Sequence, residues 1–179
     1  EGEVLQLINC KNPDTTEEQY MEVIRYKTAK MFEASAQSGA VLANPGEATE
    51  LAFARYADHL GSAFQLVDDV LDYTGSADEM GKNVGDDLAE GKPTLPLIFA
   101  LQHAKESERA LIKKAILTGG LDQLDAITEA VRSCGALDYT VEQANRQAAM
   151  AKACIAKVPD SLHKQALVAL CDLAVARNH

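Results

Sequence analysis

The sequence lacks tryptophan altogether, and only 5% of its residues are aromatic, so aliphatic side chains must build most of any core. It lacks an apolar run of the about 20 residues that a membrane-spanning helix needs. It shows no signal-peptide pattern. Its four cysteines, Cys10, Cys134, Cys154 and Cys171, are scattered, with no CxxC and no paired histidine. That excludes the usual zinc frameworks. Free thiols in a reducing cytosol are the simplest reading, and a cytoplasmic location is expected from it. Positive charge is also short: the formal net charge is -10, so nucleic acid is not an expected partner. Runs of alternating β-branched residues are missing, which leaves no convincing strand.

What is present is one helical pattern after another. The 179 residues, 47% hydrophobic and 25% charged, suffice for a single α-helical domain over 1–179 with a real core. Residues 1–10 read as the tail of a helix. The chain opens at Glu1 without a Met, as a piece of a longer polypeptide would. Lys11-Asn12-Pro13-Asp14 breaks the pattern. Thr15 with Glu18 reads as a capping box that opens a long helix to about Leu42. Asn44-Pro45-Gly46 ends it, and a second long helix is predicted from Glu47 to Tyr73. A loop from Thr74 to Lys92 follows. Thr94-Leu95-Pro96 begins a short apolar helix to Ala104. Further helices are predicted over 107–117, 121–133, 137–157 and 160–177, making roughly eight in all and no sheet.

The charge is concentrated. Eight acidic residues and one lysine lie between Asp68 and Glu90. Within the second long helix, Asp68-Asp69-Val70-Leu71-Asp72 is a DDxxD. Asp68 and Asp72 fall one turn apart, separated by about 40° in azimuth. Asp58, Gly61, Gln65 and Asp69 share their side of the helix. Phe53, Leu60, Phe64, Val67 and Leu71 form the neighbouring arc, and Leu66 and Val70 lie beyond the acids on the far side. A helix that is apolar on both sides of an acidic strip is expected to be mostly buried. Taken alone, a DDxxD is usually a solvated acidic face. Buried, its carboxylates would raise one another's pKa unless a cation intervened. Magnesium suits such a strip, since it takes oxygen ligands and is held by one or two carboxylates plus substrate phosphates.

The lysines point the same way. Tyr20, Val23, Ile24, Met31, Ala34 and Leu42 form a helical stripe, with Lys27 in its middle and Thr28 at its edge. Lysine is rarely buried without a partner, and Lys27 lies too far from the helix start to snorkel easily. An anionic ligand would satisfy it. Lys82 in Gly81-Lys82-Asn83-Val84-Gly85 and Lys92 in Glu90-Gly91-Lys92-Pro93-Thr94 add two more cations beside glycines. This loop is not a Walker sequence. Placed directly after DDxxD, however, it completes a set in which carboxylates hold metal, metal holds diphosphate, and lysines take the remaining charge.

In order and spacing, four motifs within residues 1 to about 100 resemble the C-terminal half of the trans-type polyprenyl diphosphate synthases. They are Glu1-Gly2-Glu3-Val4-Leu5-Gln6, Tyr26-Lys27-Thr28-Ala29, Phe64-Gln65 with its DDxxD, and the loop from Gly81-Lys82 to Leu97. The remainder fits only as a helical tail. The resemblance implies the C-terminal half of the isoprenoid synthase fold, a helical bundle with a deep cavity and usually a homodimer. It implies Mg2+-dependent condensation of an allylic diphosphate with isopentenyl diphosphate. It assigns Lys27, Lys82 and Lys92 to diphosphate, and Lys27, Thr28 and Gln65 to the reacting centre. Asp68, Asp69 and Asp72 fall to metal, with Asp68 the chief direct ligand and Asp87 behind them. No second DDxxD occurs, so the opposing motif is expected from an N-terminal half, without which the chain is expected to be inactive. A non-catalytic regulatory subunit is the alternative, against which the intact motifs stand. A terpene cyclase would not need the Lys27-Thr28 pair or the Glu90 to Thr94 loop.

Overall fold

The structure, a computed structural model, describes residues 1–74 and 85–177. Secondary structure among them is helical, with no strand. Helix α1 is Gly2–Asn9, and α2 is Glu17–Ile24. A π-helical turn, Arg25–Ala29, joins α2 directly to α3, Lys30–Ala43. Helix α4 is Glu47–Thr74, α5 the single turn Asp86–Ala89, and α6 Leu95–His103. Then come α7, Glu106–Thr118, and α8, Leu124–Ser133, preceded by a 3-10 turn. Helices α9, Ala136–Cys154, and α10, Leu162–Val175, close the described chain.

The first long helix opens one residue later than predicted. Thr16, not Thr15, is the N-cap: its side chain accepts from the Gln19 amide at 3.2 Å while Gln19 Oε1 accepts from the Thr16 amide at 2.9 Å. Thr15 is turned inward and donates its hydroxyl to the Asn12 carbonyl. At the other end, Asn44 takes a left-handed conformation with φ of 49°, a backbone that asparagine tolerates better than most residues.

The larger correction concerns the stripe through Lys27. Val23 and Ile24 are buried as predicted, but Met31 is 70% and Leu42 87% exposed, and Ala34 is exposed too. The cause is the π turn. The Lys30 amide donates back to the Arg25 carbonyl, five residues away, so the turn holds one residue more than an α-turn. The inward face rotates accordingly. Beyond it, Ala29, Phe32, Ala36 and Ala40 face the core.

Helix α4 is the axis of the fold. Its first half packs with α9 and α10 through Tyr56, Ala57, Leu60, Ala63, Ala148, Ile155 and Cys171. Its middle meets α2, α6 and α9 through Tyr20, Ile24, Leu66, Leu71, Ile98 and Ala144. Its last turn joins α5 to α8 through Val70, Tyr73, Leu88, Ile112 and Ile127. Leu66 and Ala63 have no exposed surface at all. A helix covered on nearly every side can keep carboxylates only where a cavity meets it.

Candidate active site

Such a cavity, about 610 Å³, opens where α1, α2, the π turn, α4 and the segment from Asp86 to Thr94 converge. Its acidic wall is Asp68, Asp69 and Asp72 of α4 with Asp86 and Asp87 of α5. Lys27 and Lys92 supply cations, Lys92 beside Asp87, and Val23, Ile24 and Leu71 an apolar patch. Backbone hydrogen bonds set this geometry. The Gly85 amide donates to the Asp72 carbonyl at 3.0 Å, docking the start of α5 on the end of α4. The Lys11 amide donates to the Gly91 carbonyl at 2.8 Å, tying the Lys92 segment to the end of α1.

The three aspartates of the motif stand in different surroundings. Asp69 is 3% exposed and has a partner on each oxygen: the Tyr20 hydroxyl donates to Oδ2 at 2.6 Å and Gln65 Nε2 to Oδ1 at 2.8 Å. Burial, then the charge of Asp87, pushes its pKa up to about 7, although both hydrogen bonds pull the other way. Burial and Asp87 likewise raise Asp72 to about 6. Its Oδ2 atom is buried with no hydrogen-bond partner among the described residues. Asp68 is half-buried on the same wall.

Lys27 is half-buried rather than enclosed. Its Nζ donates to Gln6 Oε1 at 2.6 Å and lies 3.5 Å from Glu3 Oε1, so α1 partners it. Thr28 Oγ1 donates to Gln65 Oε1 at 2.9 Å. Gln65 lines the cavity and Thr28 stands behind it. Lys92 pairs with Asp87 and Glu90, each at 2.9 Å. Burial would lower the Lys92 pKa, but these two carboxylates more than offset it and hold it above the usual lysine range. Lys82 lies outside the described residues.

Several cavity residues carry no sequence signal. Tyr20 reads as one more apolar position of α2. Arg177 comes from the end of the chain: its guanidinium donates to the Phe64 carbonyl at 2.8 Å and sits 3.8 Å from the centroid of the Phe64 ring. Burial lowers its pKa, and the charge of Asp68 counters that. Gln6 and Asn9 enter from α1. Only the fold brings these to one place.

Comparison with known proteins agrees with this arrangement. The polyprenyl synthetase family model matches residues 1–134. The octaprenyl diphosphate synthase of Haemophilus influenzae is 47% identical over 180 residues, covering 100% of this chain and 55% of that protein. The all-trans-nonaprenyl-diphosphate synthase (geranyl-diphosphate specific) of Rhodobacter capsulatus is 47% identical over 177 residues, 99% of this chain and 54% of its own. A polyprenyl synthase of Caulobacter crescentus CB15, solved with calcium and isoprenyl diphosphate, superposes with a TM-score of 0.94 at 39% identity, covering 99% of this chain and 55% of that one. The chain thus spans about half the length of the relatives it matches.

Proposed function

Because the chain belongs to the polyprenyl synthetase family, we propose that its cavity holds the diphosphate of an allylic substrate during trans-prenyl transfer. In this reading it is the C-terminal half of a Mg2+-dependent polyprenyl diphosphate synthase that forms homodimers. The observation that carries the reading is one cavity lined by five aspartates together with Lys27 and Lys92.

The residues fit a hard cation. Carboxylate oxygens are the right donors, and burial, then the charge of Asp87, raises the pKa of two of them, a strain that a cation would relieve. No group of three or more acids, histidines or cysteines forms a cage among the described residues. Magnesium keeps waters and takes phosphate oxygens in place of a full protein shell. Asp68 and Asp72 would hold it. Asp69 has both oxygens committed elsewhere and stands behind them. When bound, the ion supplies charge to a departing diphosphate.

The chain's own groups do the rest. Lys27 exchanges Gln6 for a phosphate oxygen, and Lys92 and Lys82 take further negative charge. As the allylic C–O bond breaks, Gln65 lies beside the carbon that becomes positive, with the Thr28 hydroxyl behind it. The double bond of isopentenyl diphosphate attacks that carbon, a C–C bond forms, and the new cation loses a proton to the departed diphosphate, leaving a new double bond. Val23, Ile24 and Leu71 offer the prenyl chain an apolar surface away from water.

The test is a chimera in which the portion of the Haemophilus influenzae relative that precedes its matched segment is fused ahead of Glu1. It should convert an allylic diphosphate and labelled isopentenyl diphosphate to a longer prenyl diphosphate in the presence of Mg2+. Asp68→Ala should lower kcat by about 10²–10³, the scale of losing one preorganised charge-stabilising group. Near-normal turnover in that variant would remove Asp68 from the role.

A further inference from the structure

Three hydrogen bonds link α2, α4 and the π turn in one line: Tyr20 Oη to Asp69 Oδ2, Gln65 Nε2 to Asp69 Oδ1, and Thr28 Oγ1 to Gln65 Oε1. Their lengths are 2.6, 2.8 and 2.9 Å. The chemistry of the groups dictates their direction. The Tyr20 hydroxyl donates to one Asp69 oxygen and the other accepts, so Gln65 turns its NH2 toward Asp69. Its carbonyl is then forced toward Thr28, and the Thr28 hydroxyl must donate to it. Were Asp69 free to swing, the Gln65 amide could flip and Thr28 would face a donor instead of an acceptor. Asp69 has few other restraints among the described residues, since the charges of Asp87 and Asp68 repel it and no lysine there pairs with it. The Tyr20 phenol is the group that pins its second oxygen. It sits on α2, is 4% exposed, and is packed among Ile24, Leu66 and Leu71.

We propose that Tyr20 is a positioning residue of this site, acting through Asp69 and Gln65 to fix the orientation of the Gln65 amide beside the reacting carbon and of the Thr28 hydroxyl behind it. It touches neither diphosphate nor metal. The proposal rests on the prenyl-transfer reading for its consequence in catalysis, while the relay itself is a property of the folded chain.

Tyr20→Phe removes one oxygen and keeps the ring that fills the core. Two measurements test it. On the 179-residue chain, the Gln65 side-chain amide signal is followed by NMR, assigned by its loss in Gln65→Leu. Its hydrogen exchange should speed up about tenfold or more in Tyr20→Phe, the effect of losing one bond to a charged group. In the chimera, kcat should fall about tenfold to a hundredfold, as small misplacements of reacting groups do. The KM for allylic diphosphate and the Mg2+ requirement should stay within about twofold, because neither depends on an interaction confined to the transition state. Asp68→Asn, by contrast, should move the Mg2+ requirement. Asp69→Asn turns one of the two acceptor oxygens into a donor, so Tyr20 and Gln65 no longer each have an oxygen of their own, and it serves in the exchange measurement if Tyr20→Phe does not fold. Unchanged Gln65 exchange in a folded variant overturns the relay. Faster exchange with unchanged kcat, or a kcat loss that travels with the Mg2+ requirement, overturns the positioning role. A wild-type chimera without turnover would sink the prenyl-transfer reading instead, and the Gln65 exchange would still decide the relay.

Discussion

At the scale of single residues, the site stores unfavourable charge. Asp72 and Asp69 titrate higher in the folded chain than free carboxyls, with Asp72 near 6 against 3.8. The folded state therefore binds more protons than the unfolded state over the interval from about pH 4 to pH 7, and linkage makes stability fall as pH rises through it. The metal-free chain should melt at a higher temperature at pH 5 than at pH 8. Asp72→Asn should raise the melting temperature at pH 8 by roughly 2–4 °C, what about 1 kcal/mol produces in a chain of this size after allowance for solvent screening. At pH 5 the same substitution should change little. Differential scanning calorimetry decides this, and a substitution that lowers stability equally at both pH values would show that Asp72 carries no strain. Lys27 tests the complementary charge. Its bond to Gln6 keeps it ordered without an anion, so Lys27→Met should leave melting nearly unchanged. It should weaken pyrophosphate binding in the presence of Mg2+ by about tenfold or more, the worth of a charge-assisted contact. Calorimetric titration reads it directly.

At the scale of elements, the π turn is the feature that the sequence conceals. Helix existence was legible, and α4 in particular, because caps, breaks and apolar spacing are local signals. The DDxxD, Lys27, Gln65 and Lys92 were legible as a set because each was a charge or amide in an apolar or glycine-rich setting. The inserted residue in Arg25–Ala29 was not, because it has no composition of its own and is imposed by what packs on it. Gly2 of α1 and Gly61 of α4 lie against the turn from two helices. A β-carbon on Gly2 would lie 2.2 Å from the Lys27 amide nitrogen, and one on Gly61 2.6 Å from the Ala29 Cα. These contacts are to backbone, so no side chain can rotate away. Met31 and Leu42 were misplaced for the same reason: their spacing is right for an unbroken α-helix and wrong after one extra residue. Tyr20 and Arg177 were hidden differently, since their roles depend on partners 49 and 113 residues away. Gly61→Ala should therefore cost about 1–3 kcal/mol as an overpacking change. Gly39→Ala, where an added carbon meets nothing within 4 Å, should gain about 0.5–1 kcal/mol of helix propensity. Paired urea titrations check both, and equal effects at the two positions would deny the close approach at Gly61.

At the scale of the whole molecule, a cavity with a clustered acidic lining and several uncovered apolar faces go together. Leu7 on α1 is 72% exposed, Leu42 on α3 87%, and Leu162 on α10 80%, with Ile8, Met31 and Leu173 also exposed. Apolar faces on that scale usually mark contact surfaces. The relatives carry nearly as much chain again beyond the matched segment, and under the proposed function that portion is the expected occupant. The site asks for the same addition. Its carboxylates stand on one wall, the sequence holds no second DDxxD, and a diphosphate held from one side would face water. Electrostatic stabilisation of a leaving group depends on preorganised charge in a water-excluded site. The 179-residue chain alone is therefore expected to self-associate, to bind a dye that reports apolar surface, and to make little or no prenyl product. Adding the upstream portion of the Haemophilus influenzae relative as a separate polypeptide should form a discrete complex, suppress dye binding and bring activity up together. Light scattering, dye fluorescence and labelled isopentenyl diphosphate measure the three. If a monomeric preparation of the chain alone turned over substrate freely, the uncovered faces and the one-sided site would both need another explanation. If the complex formed and dye binding fell while activity stayed absent, the faces would be accounted for, and the missing charge would have to come from somewhere other than that portion.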